Sequence, residues 1–370
     1  MKKGLKFTVV VIVILLSCSC QKEFAIKVMS NDAAMGSVSG GGVYAKGTVI
    51  QLHALPATGC RFEKWNDGNT LNPRSVTVNS NATYTAEFVI EGNGGGGEEP
   101  SKKPGFSVSA SQQVYFSPGN LQWSATNGGS DFSTHTVADG TAAGTWRFAP
   151  NQWDIIGAGN SNISSNDTGW IDLFGWGTSG YNNRHPYTTI AAYYNYGDGN
   201  NHLSGTNYDW GVYNAIYNPS TRKTDAPGTW RTLTKDEWDY LLNTRNTSSG
   251  IRYAKGTVCG ISGLILVPDN WKTSVYPLNN TNNSAASYTY NTIDATDWNK
   301  MENAGCAFIP AAGLRNETSV SYCGTSGYYW SATYYGIDAY SLIFDFSNLT
   351  SSINFSRYYG NSIRLVSNVR

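Results

Sequence analysis

A cysteine close to the N-terminus carries the most specific chemical signal in the chain. Cys18 follows Leu-Leu-Ser, which places a large aliphatic side chain three positions upstream and a small residue directly before the thiol. This spacing is typical of a cysteine that is acylated when a secretory signal is removed. Lysines at positions 2, 3 and 6 precede an apolar run over 7–16 that is too short to span a bilayer. The pattern predicts a signal peptide over 1–17 and a lipid, such as palmitate, on Cys18.

Two alternatives to this assignment exist. Cys20 is also preceded by a small residue, but Leu15 lies three places before Cys18 and gives that cysteine the better match. An ordinary signal peptide with incidental cysteines would favour an Ala-x-Ala cleavage site, and the region has none. We therefore expect a lipoprotein that its N-terminal lipid anchors in the outer membrane of the cell envelope, exposed at the cell surface.

A second type of chemistry is suggested by a stretch over 156–229 that is rich in Gly, Asn, Tyr and Trp. An aromatic ring can stack on the apolar face of a sugar while amides and carboxylates bind its hydroxyls. We predict Trp170, Phe174 and Trp176 to be core residues, whereas 181–198 has no helix or strand period that would explain its rings. The candidate ligand-binding residues are Tyr181, Asn182, Tyr193, Tyr194, Asn195 and Asp198.

The other reactive side chains form no catalytic or metal-binding pattern. The four histidines are scattered, and no Gly-x-Ser-x-Gly nucleophile motif occurs. Asp236 and Glu237 fall in the first turn of a predicted helix, where carboxylates interact favourably with the helix dipole. Closely spaced cysteine pairs, which zinc sites need, are absent after the signal. We therefore expect no enzymatic activity, no metal and no cofactor.

Two of the remaining cysteines leave their redox state open. Cys306 and Cys323 lie seventeen positions apart in apolar, strand-like surroundings. An exported chain could oxidise them to a disulfide, but buried free thiols fit the same surroundings equally well.

The composition is that of a β-rich extracellular protein. Charged residues make up 14% of the 370 residues and aromatic residues 13%, with 24 Tyr, 12 Trp and 40 Gly. The formal net charge is +0, and removal of the signal lysines leaves a slight excess of acidic groups with no basic block. Nucleic acid is therefore not expected as a partner. No later segment approaches roughly eighteen consecutive apolar residues, so the lipid is the only membrane attachment implied.

A polar segment over 91–105 divides the chain. It reads Glu-Gly-Asn-Gly-Gly-Gly-Gly-Glu-Glu-Pro-Ser-Lys-Lys-Pro-Gly, offers no large apolar side chain to bury, and is predicted to be a flexible linker. It separates a first domain over 24–90 from a second domain over 106–370.

The first domain shows short strands joined by turns. Alternating segments occur at 25–28 and 83–88, and the glycine-rich run over 36–42 predicts a hairpin. Phe62 and Trp65 are expected to form its small core.

The order of landmarks in this domain resembles the divergent internalin-type B-repeat of bacterial surface proteins. The landmarks are Gly36, Gly42, Tyr44, Gly47, Pro56, Gly59, Phe62, Trp65, Asp67, Gly68, Pro73 and Phe88. The resemblance implies a small β-grasp-like spacer module rather than a catalyst. Residues 65–67, Trp-Asn-Asp, are similar to a calcium-binding triplet of C-type lectins, but this is the wrong domain and Asp67-Gly68 is predicted to be a turn.

The second domain contains one well-marked helix. Thr234 and Glu237 form a capping box, Leu233 and Trp238 are placed as a hydrophobic staple, and the apolar face continues through 241–242. A shorter helix is predicted over 296–303, followed by Gly305.

Strands are predicted around these two short helices, so the domain is expected to be α+β. The main segments are 307–310, 328–331, 340–346 with Leu342, Phe344 and Phe346 on one face, and 363–366. 

Five landmarks of the second domain resemble the FISUMP-type (Fibrobacter succinogenes major paralogous) domain of Bacteroidetes lipoproteins. They lie at 230–238, 263–271, 308–315, 327–331 and 360–366. That family is similar to the C-type-lectin-like fold of formylglycine-generating enzymes, which implies an exported surface module. The copper and redox cysteine pair of those enzymes is not carried over, because Cys306 and Cys323 are too far apart.

The sequence thus predicts a mostly β and α+β chain, with a β-grasp-like repeat domain followed by a C-type-lectin-like domain. The first functional hypothesis is a non-catalytic adhesin or glycan-binding protein with a glycan or surface-protein ligand. The alternative is a structural or assembly subunit of a surface complex or fimbria-like fibre. An exposed line of aromatic rings beside Asn and Asp would favour glycan binding, whereas a broad apolar patch or open sheet edge would favour assembly.

Overall fold

The computed structural model describes residues 22–57, 60–90, 104–125, 144–165, 167 and 169–369. Two units are distinguished, with the division between Gly97 and Glu98. This division falls inside the predicted linker, of which residues 91–103 lie outside the described residues, as do Cys18 and Cys20. Strands dominate both units, so the prediction of a mostly β and α+β fold is confirmed.

The first unit has seven strands, and its described residues form no helix. The strands are β1 (Glu23–Ser30), β2 (Gly36–Ser39), β3 (Gly42–Ala45), β4 (Val49–Pro56), β5 (Cys60–Trp65), β6 (Arg74–Thr77) and β7 (Ala82–Ile90). One sheet has the order β3-β1-β7-β5 and the other the order β2-β4-β6. β1 and β7 run parallel, whereas the other pairs are antiparallel.

The core of the first unit is centred on the predicted aromatic pair. Trp65 is fully buried, and the partly buried Phe62 ring lies 5.4 Å from it, centroid to centroid. The predicted turn after Trp65 is also present, since Gly68 adopts φ +83° and its N–H donates to the Trp65 carbonyl at 2.7 Å. Asp67 forms an ion pair with Arg74 at 2.5 Å instead of facing a calcium site.

The glycine-rich run over 36–42 does not form the predicted hairpin. β2 pairs with β4 and β3 pairs with β1, so the run carries the chain from one sheet to the other. Gly40 lies where the chain passes between the sheets and has φ +102°. A side chain at this position would clash with the backbone of Gln51. The hairpin prediction was wrong because alternating apolar and polar residues indicate a strand but do not identify the strand with which it pairs.

The second unit has seventeen strands and three α-helices in its described residues. The strands before residue 235 are β8 (Phe106–Ser107), β9 (Gln113–Phe116), β10 (Leu121–Ser124), β11 (Thr145–Phe148), β12 (Ile216–Asn218), β13 (Lys223–Asp225) and β14 (Arg231–Thr232). The later strands are β15 (Tyr253–Val258), β16 (Ile261–Leu266), β17 (Thr292–Ile293), β18 (Ala307–Pro310), β19 (Leu314–Asn316), β20 (Ser319–Ser321), β21 (Gly327–Tyr335), β22 (Asp338–Phe344), β23 (Leu349–Ser356) and β24 (Leu365–Asn368). The helices are α1 (Trp210–Tyr213), α2 (Lys235–Asp239) and α3 (Ala295–Asn303).

Several small sheets make up this unit. Three have four strands, in the orders β10-β11-β12-β13, β14-β24-β9-β8 and β17-β15-β16-β18. A three-stranded sheet has the order β21-β22-β23, and β19 pairs with β20 as a hairpin.

The predicted helix after Thr234 is confirmed as α2. The Thr234 hydroxyl accepts the Glu237 N–H at 3.2 Å, and the Glu237 carboxylate accepts the Thr234 N–H at 2.8 Å. Leu233 and Trp238 are buried, as the staple requires. After Asp239 the backbone continues as one π-helical turn over Tyr240–Thr244.

The second predicted helix is confirmed as α3, which begins one residue early because Asp294 caps it. Two strand predictions need correction. β24 starts at Leu365 rather than 363, and Phe346 is 67% exposed rather than on the inner face. Phe346 turns outward because the Asp345 carboxylate accepts the Ser347 and Asn348 N–H groups and closes a turn. The four-residue helix α1 was not predicted.

A tryptophan-rich core lies beneath the loops that follow β11. Trp123, Trp146, Trp176, Trp210 and Trp330 are all buried there, with Leu121, Phe148, Phe174, Ile216 and Ile363. The Trp176 indole N–H donates to the Ser331 carbonyl at 2.9 Å, and that of Trp330 donates to the Phe174 carbonyl at 2.7 Å. These two hydrogen bonds join residues 174–176, in the long loop between β11 and α1, to β21. The loop is therefore ordered by its own packing.

Candidate functional site

The predicted core residues of the long loop divide into two groups. Phe174 and Trp176 are fully buried, which confirms their assignment to the core. Trp170 is only half-buried, and the guanidinium carbon of Arg147 lies 3.7 Å from its ring centroid. A stacked guanidinium of this kind is a cation–π contact.

Tyr181 and Asn182 are built into the loop scaffold. Tyr181 is half-buried and meets the rings of Tyr208 and Tyr213 edge-on, at centroid distances of 5.1 and 5.2 Å. The Asn182 side-chain amide donates to the Tyr208 hydroxyl at 2.9 Å. Both candidates therefore have structural contacts that account for their residue types.

Tyr193 and Tyr194 are placed differently. They are 49% and 66% exposed and contact each other edge-on at 5.9 Å. Asn195 and Asp198 are half-buried, and Asp198 accepts a hydrogen bond from the Asn201 side chain at 3.3 Å. The exposed ring pair is thus the part of the predicted site that remains open to a ligand.

Arg357 holds the end of this loop in place. Its guanidinium lies 4.5 Å from the Trp176 ring centroid and donates to the Gly199 carbonyl at 2.5 Å and the Gly336 carbonyl at 2.7 Å. One buried side chain therefore joins the loop that carries Tyr193 to the turn between β21 and β22.

The structure also brings together five aromatic rings that the sequence did not mark as a site. Tyr322, Tyr328, Phe355, Tyr359 and Tyr358 follow one another with centroid distances of 6.1, 5.6, 5.7 and 4.9 Å. Tyr322 is 57% exposed and the other four are partly exposed. We call this row the aromatic ladder.

The ladder is assembled from distant segments of the chain. Tyr322 lies in the turn after β20, Tyr328 on β21 and Phe355 on β23, and the tyrosine doublet follows β23. The backbone of 358–362 is fixed beside β21 and β19, since the Ser362 N–H donates to the Tyr328 carbonyl at 2.9 Å and the Gly360 N–H to the Arg315 carbonyl at 2.7 Å. Tyr328–Tyr329 and Tyr358–Tyr359 are adjacent pairs in the sequence, but neither pair indicates the other members of the ladder.

Carboxylates and an amide lie near the ends of the ladder. Burial, the neighbouring Tyr359, and then the carboxylates of Glu317 and Asp338 raise the pKa of Tyr358. The Asn354 side-chain amide donates to Asp338 at 3.1 Å. At the other end, burial raises the pKa of Tyr328, with smaller contributions that include the charge of Asp345. The ladder therefore combines ring faces with carboxylate and amide groups.

The two cysteines whose state was open are free thiols in the structure. Burial raises the pKa of Cys306 well above its ordinary value, and the charge of Glu302 acts in the same direction. Burial and the charge of Asp172 raise the pKa of Cys323. Thiols with raised pKa values are poor nucleophiles.

Within the part of the chain that the structure describes, no group of three or more His, Cys, Asp or Glu side chains is arranged to hold a metal ion. No helix among the described residues is both long enough and apolar enough to cross a membrane.

The fold and the ladder describe a two-unit, mostly β chain with a row of aromatic rings on its second unit. Residues 26–92 match the family described as divergent InlB B-repeat domain, and residues 271–366 match a domain of unknown function, DUF8237. No curated protein and no solved structure matches the chain.

The first match confirms the resemblance found for the first domain and indicates a surface or adhesion type of module. The second match contains the whole aromatic ladder but names no activity. The FISUMP and C-type-lectin-like assignments stay predictions.

Proposed function

We propose that this chain is a non-catalytic, surface-exposed lipoprotein of the outer membrane whose second unit binds glycans. The continuous row of rings from Tyr322 to Tyr358 carries the proposal. Loss of palmitate labelling in Cys18→Ala, with labelling kept in Cys20→Ala, tests the lipid anchor.

Phe355 meets Tyr328 and Tyr359 edge-on, at interplanar angles of 89° and 69°, so the ring faces point in different directions and each can stack on a separate sugar ring. Its members are tyrosines except for Phe355, so most rings carry a hydroxyl that can bind a sugar hydroxyl. Glu317 and Asp338 near Tyr358 supply acceptors for further hydroxyl groups. Because the rings of the ladder carry no charge, the proposed ligand is a neutral glycan.

Affinity for a single sugar is expected to be weak. Ring stacking buries little apolar area, and the hydroxyls of the sugar must lose water before they bind protein groups. A lipid-anchored protein presents many copies on one surface, so binding to a polymer gains from multivalency.

A glycan array probed with residues 21–370 tests the proposal. Tyr328→Ala/Tyr358→Ala should weaken binding to neutral glycans by tenfold or more, since two stacking faces are removed. Tyr290→Ala/Tyr335→Ala is the matched control, because those rings are exposed but lie outside the ladder. If the ladder variant keeps its melting temperature and still binds glycans, the ladder is not the binding site.

The exposed pair Tyr193 and Tyr194 forms a third arm of the same experiment. If the loop over 181–198 is the binding site, Tyr193→Ala/Tyr194→Ala will abolish binding and leave the melting temperature nearly unchanged. If only the ladder variant loses binding, the loop residues are not the site.

Assembly into a surface complex or fimbria-like fibre is the second candidate function. β23 is the outer strand of its sheet among the described residues, and Ile353 on it is 45% exposed. An open edge of this kind can pair with another strand. Concentration-dependent oligomers of residues 21–370 that Ile353→Lys disrupts would support assembly over glycan binding.

A further inference from the structure

A cavity of about 460 Å³ lies in the second unit, formed by segments that are distant from the ladder in sequence. Its lining includes Arg147, Trp153, Asp154, Ile155, Ile156 and Ile261. The cavity opens to solvent, and its volume is within the range of small-ligand sites, about 300–1,000 Å³. Its walls combine three isoleucines and an indole with one guanidinium and one carboxylate.

The guanidinium of Arg147 is held in a fixed position. Arg147 lies opposite Gln122 in the β10–β11 pair, and its Nε donates to the Gln122 side-chain oxygen at 2.8 Å. The planar group stacks on Trp170 at 3.7 Å. Burial lowers the pKa of Arg147 to about 10, so the group is still protonated at neutral pH.

The carboxylate of Asp154 is also held in a fixed position. Its carboxylate accepts the Asn151 backbone N–H at 2.8 Å and the Asn151 side-chain amide at 3.1 Å. Burial raises its pKa, and the positive charge of Arg147 opposes that shift. The cavity therefore presents one positive and one negative group that are both partly desolvated and both pre-positioned.

The two charges together select against a simple ion. Asp154 would repel an anion that approached Arg147, and Arg147 would repel a cation that approached Asp154. A neutral group with an acceptor next to a donor meets neither penalty. A secondary amide has this arrangement, since its carbonyl can accept from Arg147 while its N–H donates to Asp154.

We infer that this cavity is a second binding site, independent of the ladder, for the acetamido group of an N-acetylated hexosamine. The carbonyl faces the Arg147 guanidinium, the N–H faces the Asp154 carboxylate, and the acetyl methyl group packs on the isoleucines. The half-buried indole of Trp153 offers an apolar surface for the sugar ring.

Cys259 provides a built-in reporter for this site. It lines the same cavity and its side chain is exposed, whereas Cys60 and Cys306 are buried. N-acetylglucosamine should therefore slow the alkylation of Cys259 in residues 21–370, as followed by peptide mass spectrometry. Glucose, which lacks the amide, and glucosamine, which is cationic, should protect at least tenfold less well at the same concentration.

Ligand-observed NMR and two variants complete the test. Saturation transfer should be strongest at the acetyl methyl protons of N-acetylglucosamine, because they lie against the isoleucines. Asp154→Asn should weaken binding tenfold or more, and Ile261→Trp should abolish it by filling the cavity. Asp236→Asn is the control, since it removes one carboxylate whose side chain is 96% exposed on α2.

The outcomes separate this site from the ladder. Tyr328→Ala/Tyr358→Ala should leave protection of Cys259 intact, even if it removes binding to the glycan array. The inference is overturned if N-acetylglucosamine gives no protection, or if glucose protects equally well. It is also overturned if a folded Ile261→Trp protein still binds the sugar.

Discussion

At the scale of single residues, Tyr193, Tyr194 and Tyr196 show how identical neighbours take different roles. The first two are largely exposed, whereas Tyr196 is fully buried and its hydroxyl donates to the Ile190 carbonyl at 2.9 Å. All three rings lie in the stretch over 181–198, although only Tyr193 and Tyr194 are among the candidate ligand-binding residues. Burial is decided by the packing of Trp176 and Arg357 beneath the loop, which no local pattern encodes.

Asp209 is a residue whose titration should be visible in stability. It is fully buried, and its carboxylate accepts from the Thr232 N–H and hydroxyl, both at 2.9 Å, and from the Gly211 N–H at 3.2 Å. Burial raises its pKa from 3.8 to about 6, and the hydrogen bonds oppose this shift only in part.

We therefore expect stability to fall as pH rises from about 4 to about 6. The folded protein holds the proton of Asp209 more tightly than the unfolded chain, so the stabilising contribution is complete below pH 4 and is lost above pH 6. The effect is on the order of 2–3 kcal/mol, and Asp172, with a similar pKa of about 6, adds to it.

Urea unfolding at a series of pH values measures this slope. Asp209→Asn should make the fall shallower, whereas Asp236→Asn, on the surface, should leave it unchanged. A slope that is the same in Asp209→Asn and the parent protein would contradict the assignment.

At the scale of elements, α2 was predictable because all its signals are local. The capping box, the staple and the apolar face lie within ten residues; the capping box is present, and the apolar residues are buried in one core cluster. The π-helical turn that follows was not predictable, because it depends on packing against other elements.

The packing of α2 is tested by replacing its central ring. Trp238 is 1% exposed and its ring lies 5.9 Å from that of Phe116, so Trp238→Ala should cost about 3–5 kcal/mol of unfolding free energy. Lys235→Ala, which removes a partly exposed ion pair with Asp239, should cost about 0–1 kcal/mol. Chemical denaturation compares the two, and equal small losses would show that the helix is peripheral.

The sites could be predicted only in part, and for a physical reason. Residues 181–198 were noticed because their rings are adjacent in sequence. The cavity joins segments more than a hundred residues apart, such as those of Arg147 and Ile261, and the ladder joins separate segments over 322–359. Neither group of residues shows a helix or strand period in the sequence, because its members come together only when separate segments of the chain pack. The hairpin prediction at 36–42 was wrong for the same reason, since it depended on which strands pair.

At the scale of the whole molecule, the linker over 91–105 is the feature that limited proteolysis can test. The chain divides between Gly97 and Glu98, and a segment of Gly, Glu, Lys and Pro has little side chain to bury. Brief digestion should cut first between Gly94 and Gly105 and leave two resistant fragments, identified by mass spectrometry. First cuts inside either unit, with the linker intact, would refute the boundary.

The parallel pairing of β1 with β7 has a mechanical consequence. These are the first and last strands of their unit, and they lie side by side with Ile26 opposite Ala82 and Ser30 opposite Ala86. Tension between the start of β1 and the end of β7 pulls the two strands along their axes in opposite directions. The hydrogen bonds between them then bear the load together in shear, whereas an antiparallel terminal pair would open one bond at a time. In the proposed lipoprotein, a load between the lipid anchor and a ligand-bound second unit would act on this pair of strands.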